Sequence, residues 1–223
     1  MKKEKTLDIT IDFETCGTCP TAAVMSVGAV AWNRYADDDP FGTVADYPEM
    51  TYGKHVDLRS SFLDGFTFDG ETAKWWAGQS DEAKAALLAN DDTPVMPIED
   101  VTLGLCSFIE ETMNIAGAKD ACLWSQGSDF DIAILRNICR KYGIGLPVRH
   151  FRFRDHRTFF MEGARLICDL TGTEFNPRDA YKLVDEYGGE GQPHSPVFDC
   201  KRSVYSTWQM MKHLRCLSVS RLP

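Results

Sequence analysis

Leu7-Asp8-Ile9-Thr10-Ile11-Asp12-Phe13-Glu14 alternates apolar and polar side chains over eight positions. A period of two is that of a β-strand, so Leu7, Ile9, Ile11 and Phe13 share one face while Asp8, Thr10, Asp12 and Glu14 share the other. Residues two apart on a strand stand roughly 7 Å from each other, which places Asp12 and Glu14 where they could share divalent cations. A plainer account is a half-buried edge strand with an acidic solvent face. An Asp-x-Glu pair is a weak motif alone, so the rest of the chain decides between the two.

Outward from this strand, residues 22–32, rich in Val and Ala, read as a second, buried strand. Residues 51–58 read as a third, after the polar Asp37-Asp38-Asp39-Pro40 turn. The period then lengthens. Residues 71–78 and 81–89 read as short helices, and 98–116 as a longer one with Val101, Leu105, Phe108, Ile109 and Met113 on one side. Residues 120–124 are a short strand. Ser128 is the expected cap of a helix carrying Ile132, Leu135, Cys139 and Tyr142, and Gly143 ends that helix. A last strand at 151–153, a helix over 156–170, and a helix opened by Ser195-Pro196 and running to about residue 215 complete the chain. Strands first and helices after them, with no repeat or low-complexity linker, predict one α/β domain over residues 1–223 with a central mixed β-sheet flanked by helices.

Composition narrows the function classes. With 223 residues the chain can bury one sizeable core. No stretch reaches the roughly 18 apolar residues of a membrane span, and the Met1-Lys2-Lys3-Glu4-Lys5 start is no signal-peptide core, so a cytoplasmic protein with no membrane partner is expected. The eight cysteines are scattered through apolar runs and read as reduced thiols. Cys16-Gly17-Thr18-Cys19 could form a redox pair or half a zinc site, but no second close pair completes the zinc site. A net charge of −9 argues against a generic nucleic-acid coat. The charge is uneven, however. Arg136, Arg140, Lys141, Arg149, Arg152, Arg154, Arg157 and Arg165 face only Asp155 and Glu162, and no acid follows Asp199. A basic flank beside an acidic centre suits a phosphate backbone held near metal-binding carboxylates.

Two further acid motifs lie downstream. Gly127-Ser128-Asp129-Phe130-Asp131 comes after the strand at Trp124 and puts Asp131 in the first turn of a helix. His194-Ser195-Pro196-Val197-Phe198-Asp199 puts a histidine just before a helix and a carboxylate in its first turns. Each has a local explanation, a helix cap for the first and dipole compensation for the second. In this order and context they resemble the DEDDh branch of the DnaQ-like 3′→5′ exonuclease superfamily, which has a ribonuclease H-like fold. Asp12-Phe13-Glu14-Thr15 resembles its first motif, Phe130-Asp131 its second and His194-x4-Asp199 its third. Gly17, Pro20, Ser26-Val27-Gly28-Ala29-Val30, Trp75-Trp76 with Gln79-Ser80, and Arg154-Asp155-x-Arg157-Thr158 further resemble a compact bacterial and phage subfamily of 3′→5′ exoribonucleases and DexA-like exodeoxyribonucleases. One departure stands out: many relatives carry Asn shortly before the second-motif Asp, where this chain has Gln126 and an additional acid, Asp129.

The resemblance implies phosphodiester hydrolysis at the 3′ end of RNA or single-stranded DNA, with two Mg²⁺ or Mn²⁺ as cofactors. Hard cations choose oxygen ligands, so Asp12, Glu14, Asp131 and Asp199 form the expected metal set. His194 is the expected general base. Trp75 and Trp76 are candidates to stack on terminal bases, Phe13 to contact the terminal sugar, and Arg154 and Arg157, with Lys201 and Arg202, to contact phosphates. Relatives are often homodimers. Two other readings compete: a catalytically inactive ribonuclease H-like module that binds nucleic acid or protein, and a thiol oxidoreductase built on Cys16 and Cys19.

Overall fold

The computed structural model describes residues 6–41, 50–87 and 93–219. At its centre lies β1 (Thr6–Thr15), flanked by β2 (Val24–Trp32) and β5 (Asp120–Ser125) in a six-stranded sheet of order β4-β3-β2-β1-β5-β6. β2 runs antiparallel to β1, and β3 (Thr51–Val56) antiparallel to β2. β5 is parallel to β1 and β6 (Phe153–Asp155) parallel to β5, so the C-terminal ends of these three strands lie at one end of the sheet. The remaining strand, β4 (Val95–Met96), is a two-residue edge piece parallel to β3. This is the expected mixed sheet in a single α/β domain of ribonuclease H-like architecture.

The odd-numbered face of β1 does what its alternation predicts. Ile9, Ile11 and Phe13 are buried against α4 (Ile98–Ala116) and α5 (Asp131–Tyr142) through Ile98, Val101, Leu105, Ile109, Ile132 and Leu135. The even-numbered face is not the solvent face that an edge strand would have. The helices α6 (His156–Thr171) and α7 (Pro196–Val219) cover it, with Trp32, Trp124, Val204, Trp208 and Met211 in a second core cluster. Asp8 and Thr10 are therefore buried and internally satisfied. Asp8 pairs with Arg34 and accepts the Trp124 indole N–H at 2.8 Å. Thr10 Oγ1 lies 2.9 Å from His156 Nε2, whose other ring nitrogen meets Thr207 Oγ1 at 2.7 Å.

One glycine lets α7 come this close. Gly28 is the cross-strand neighbour of Asp12, and a Cβ there would lie 2.4 Å from the Pro196 carbonyl carbon and 2.5 Å from the Val197 nitrogen. The first turn of α7 thus rests directly on the β2 backbone, a contact open only to a residue without a side chain.

Several boundaries differ from expectation. The third strand stops at Val56, and Asp57 caps a short α1 (Leu58–Leu63) by accepting the Arg59 N–H at 3.0 Å. The two helices α2 (Gly70–Ala77) and α3 (Asp81–Leu87) come next, and the predicted last residues of the latter, 88 and 89, lie outside the described residues. Ser128 does not cap α5: the helix begins at Asp131, and the Ser128 N–H donates to Asp155 Oδ2 at 2.7 Å. The last strand lies two residues later than predicted, because residues 150–152 form a 3-10 turn. Among the described residues, no helix is long and apolar enough to cross a membrane.

Candidate active site

The acids meet at the C-terminal end of β1. Past Thr10 the strand emerges from under α6 and α7, so Asp12 and Glu14 face a cleft of about 1070 Å³ instead of a packed helix. Asp131 enters from the first residue of α5 and Asp199 from the first turn of α7, and His194 sits on the loop before α7. All five line this one cleft, together with Asp129, Gln126, Arg157 and Arg202. Ligand atoms of Glu14, His194 and Asp199 lie within 4.8 Å of one another.

Backbone contacts fix the acids. The Phe13 N–H donates to Asp131 Oδ1 at 3.1 Å, tying the start of α5 to β1 between its two carboxylates. The His194 N–H donates to Asp199 Oδ2 at 2.7 Å, and the Arg202 guanidinium holds the other oxygen at 2.9 Å. His194 Nδ1 faces Glu14 Oε1 at 3.9 Å. Among the described residues His194 is the sole non-glycine with positive φ, at 66°, a conformation that surrounding contacts must hold in place. Besides that bond to Asp199, Trp75 and Trp76 meet the imidazole edge-on, with ring centroids at 5.3 and 5.4 Å. Trp76 is itself anchored by its indole N–H to the Thr15 carbonyl at 3.0 Å.

Crowding of like charge shows in the proton affinities. Burial first, then Asp131, Glu14 and Asp199, holds the Asp12 carboxyl well above the usual range. Burial, with smaller contributions from Asp199 and Asp131, pushes Glu14 up to about 8. Asp131 is pushed up to about 7 by burial, against the pull of the Phe13 N–H, its own N–H and Arg157. Even the Cys200 thiol below them is pushed up, by burial and then by the same four acids. Among the described residues no hydrogen bond reaches the Asp12 or Glu14 carboxylate. An oxygen-rich cradle with this charge imbalance fits hard divalent cations and gives soft metals no thiolate.

The substrate-binding candidates divide. Arg157 lines the cleft. Phe13 touches it too, although its side chain is buried in the core. Trp75 is half exposed and Trp76 half-buried, and both contact His194 without lining the cleft. Arg154 and Lys201 do not line it; the Arg154 guanidinium donates to the Phe151 and Phe153 carbonyls at 2.9 and 2.8 Å. Of the late phosphate candidates Arg202 lines the cleft and meets Asp199. Sequence reasoning named Gly28 only within a resemblance, without its packing role, and missed Tyr181, Lys182 and Tyr187. The glycine's role depends on a helix arriving from a distance of 168 residues, and the other three reach the cleft from a single 3-10 turn (Ala180–Leu183) and the coil after it, too short to carry a readable period.

This fold occurs in solved nucleases. The chain aligns with the nuclease domain of 3′hExo, a DEDDh family member solved bound to rAMP, at 14% identity and a TM-score of 0.52, covering 95% of this chain and 94% of that one. It aligns with cell-death related nuclease 4 (CRN-4) at 12% identity and a TM-score of 0.58, covering 93% of this chain and 64% of the other. At these identities the likeness speaks for the fold. No curated protein matches the chain. A family model for the Rv2179c-like 3′-5′ exoribonuclease domain matches residues 7–201, a span from β1 into α7 that contains all three acid motifs.

Fold and family together define a 3′→5′ exonuclease, an enzyme that acts on nucleic acid. Within that class the chain belongs to the Rv2179c-like 3′-5′ exoribonuclease domain family.

Proposed function

We propose that residues 1–223 act as one exonuclease domain that removes nucleotides from the 3′ end of RNA, and of single-stranded DNA less readily, using two Mg²⁺ or Mn²⁺. The observation that carries the reading is the convergence of Asp12, Glu14, Asp131, His194 and Asp199 from β1, α5, α7 and the loop before α7 into one cleft. The family description and the rAMP in 3′hExo favour RNA.

In this mechanism Asp12, Glu14, Asp131 and Asp199 hold the cations, which when bound supply Lewis-acid neutralisation of phosphate charge and a more acidic water. His194 accepts the proton of the attacking water. With Nδ1 turned to Glu14, Nε2 is the nitrogen that takes it. The Asp199 carboxylate does double duty, since one oxygen fixes the backbone of the base and the other meets Arg202. Arg157, on the cleft wall, balances negative charge beside Asp131 and contacts substrate phosphate. Trp75 and Trp76 hold the imidazole from outside the cleft, and the exposed part of Trp75 stacks on a terminal base.

Matched RNA and DNA strands, with and without 3′ overhangs and with Mg²⁺ or Mn²⁺ titrated in, test this reading. Faster shortening of RNA from its 3′ end is expected; equal inertness of every strand would leave a binding module. In the same assay His194→Ala should lower kcat by about 10²–10⁴-fold while leaving Mn²⁺ binding nearly intact. Unchanged turnover would remove His194 from the mechanism.

A further inference from the structure

Beside the cleft, one segment of this acidic chain carries a local excess of basic residues along one edge of the sheet. From position 132 to 161 there are seven Lys or Arg and one acid, whereas the whole chain carries 24 against 33. The fold places this segment on α5, on the 3-10 turn at residues 150–152 and the residue before it, on β6, the last strand of the sheet, and on the start of α6.

The edge is continuous with the cleft. Asp155 at the end of β6 accepts the Ser128 N–H of the loop leading to Asp131, and Arg157, two residues on, lines the cleft. Moving away, Arg154 holds the Phe151 and Phe153 carbonyls, and Arg136 of α5 lies over the Phe153 ring at 5.8 Å. Arg140, one turn further along α5, is exposed. At the far end Arg149 and Arg152 flank the half-exposed Phe151 ring at 4.9 and 5.6 Å and share a single carboxylate, Asp120. Arg136 and Arg140 have no acidic partner among the described residues. The 12 residues of α5 set the length of this edge at about 18 Å.

An excess of guanidinium running away from an acidic cleft, with an exposed aromatic ring among it, has the chemistry of a single-strand track: cations for phosphates and a face for a base. We propose that the α5–β6 edge binds the nucleic-acid strand upstream of the 3′ end that occupies the cleft, through Arg136, Arg140 and Arg149 on phosphates and Phe151 on a base. The proposal rests on the exonuclease reading of the cleft. It assigns the enzyme a second contact zone that favours long strands over short ones.

The test compares wild type with the triple variant Arg136→Gln, Arg140→Gln, Arg149→Gln, which leaves Arg152 on Asp120. Binding of a labelled RNA several times longer than the edge is followed by anisotropy in EDTA over a range of salt. Turnover is followed on a dinucleotide and on the long strand. Each single-strand phosphate contact contributes about 0.7 to the slope of log K against log salt, so the variant's slope should be shallower by about 2. KM for the long strand should rise at least about tenfold, with kcat and KM for the dinucleotide unchanged. An unchanged salt slope, or an equal loss on both substrates, overturns the proposal. So does displacement by polyglutamate with no dependence on strand length, which would make the edge a site for an acidic protein. Because binding is read without turnover, a wild type that cleaves neither substrate would defeat the reading of the cleft while the salt slope still decides the edge.

Discussion

Along one face of β1 four polar residues stand in line, Asp8, Thr10, Asp12 and Glu14, and the strand treats its two halves differently. The first pair lies under α6 and α7 with every charge answered: Arg34 and the Trp124 indole on Asp8, His156 and then Thr207 on Thr10. The second pair has no hydrogen-bond donor among the described residues and is crowded by two more acids. Identical strand geometry therefore yields a structural half and a chemical half, and what separates them is whether the protein supplies the counter-charge. An unanswered carboxylate cluster is stable only if something else binds it.

The largest break in this comparison comes from the chemical half. Asp12→Asn should lower kcat/KM by at least about a thousandfold, since it removes a ligand from a site worth several kcal/mol of charge stabilisation. In the absence of divalent metal the same variant should melt no lower than wild type, because it relieves repulsion. A lower metal-free Tm would show that Asp12 is structural.

Asp8→Ala is the mirror experiment. It strands the Arg34 guanidinium and the Trp124 indole N–H and should cost about 3–5 kcal/mol in urea unfolding. Activity per folded molecule should survive. Loss of activity at full stability would place Asp8 in the mechanism instead.

pH separates the halves by sign. Glu14 and Asp131 carry raised folded values of about 8 and about 7 against ordinary values of 4.5 and 3.8. The stability they contribute is present below the ordinary values and is lost as pH rises through the folded ones. His156 is pushed down to about 3 from 6.5 by burial, so its contribution is present above 6.5 and is lost as pH falls toward 3. Metal-free protein should accordingly weaken toward both ends, and Mn²⁺ should repair only the alkaline side. The Tm gain on adding Mn²⁺ is expected to be larger near about pH 8 than near about pH 5, and an equal gain at both would contradict the cluster's role.

How much of this the sequence discloses depends on range. The alternation of β1 and the heptad-like spacing in α4 are local patterns, and both elements form as read. The convergence of the three acid motifs was legible because each sits at the end of a periodic element. Arg34, the partner of Asp8, lies in an irregular turn with no pattern to mark it. The contact of Trp75 and Trp76 with His194 joins residues more than a hundred positions apart. Ser128 misled for the same reason, since a carboxylate from β6 takes the N–H that a local cap would satisfy. The short α1 did have a local sign in Asp57, which the strand-like run before it masked.

Gly28 bears no acid, donates to no ligand and never touches the cleft, yet it sets how far apart β1 and the Asp199-bearing helix stand. A single methyl group at that position would act as a wedge. The carboxylate cage would be pried open from behind with each of its chemical groups intact, which makes the smallest residue of the neighbouring strand the gauge to which the whole site is cut.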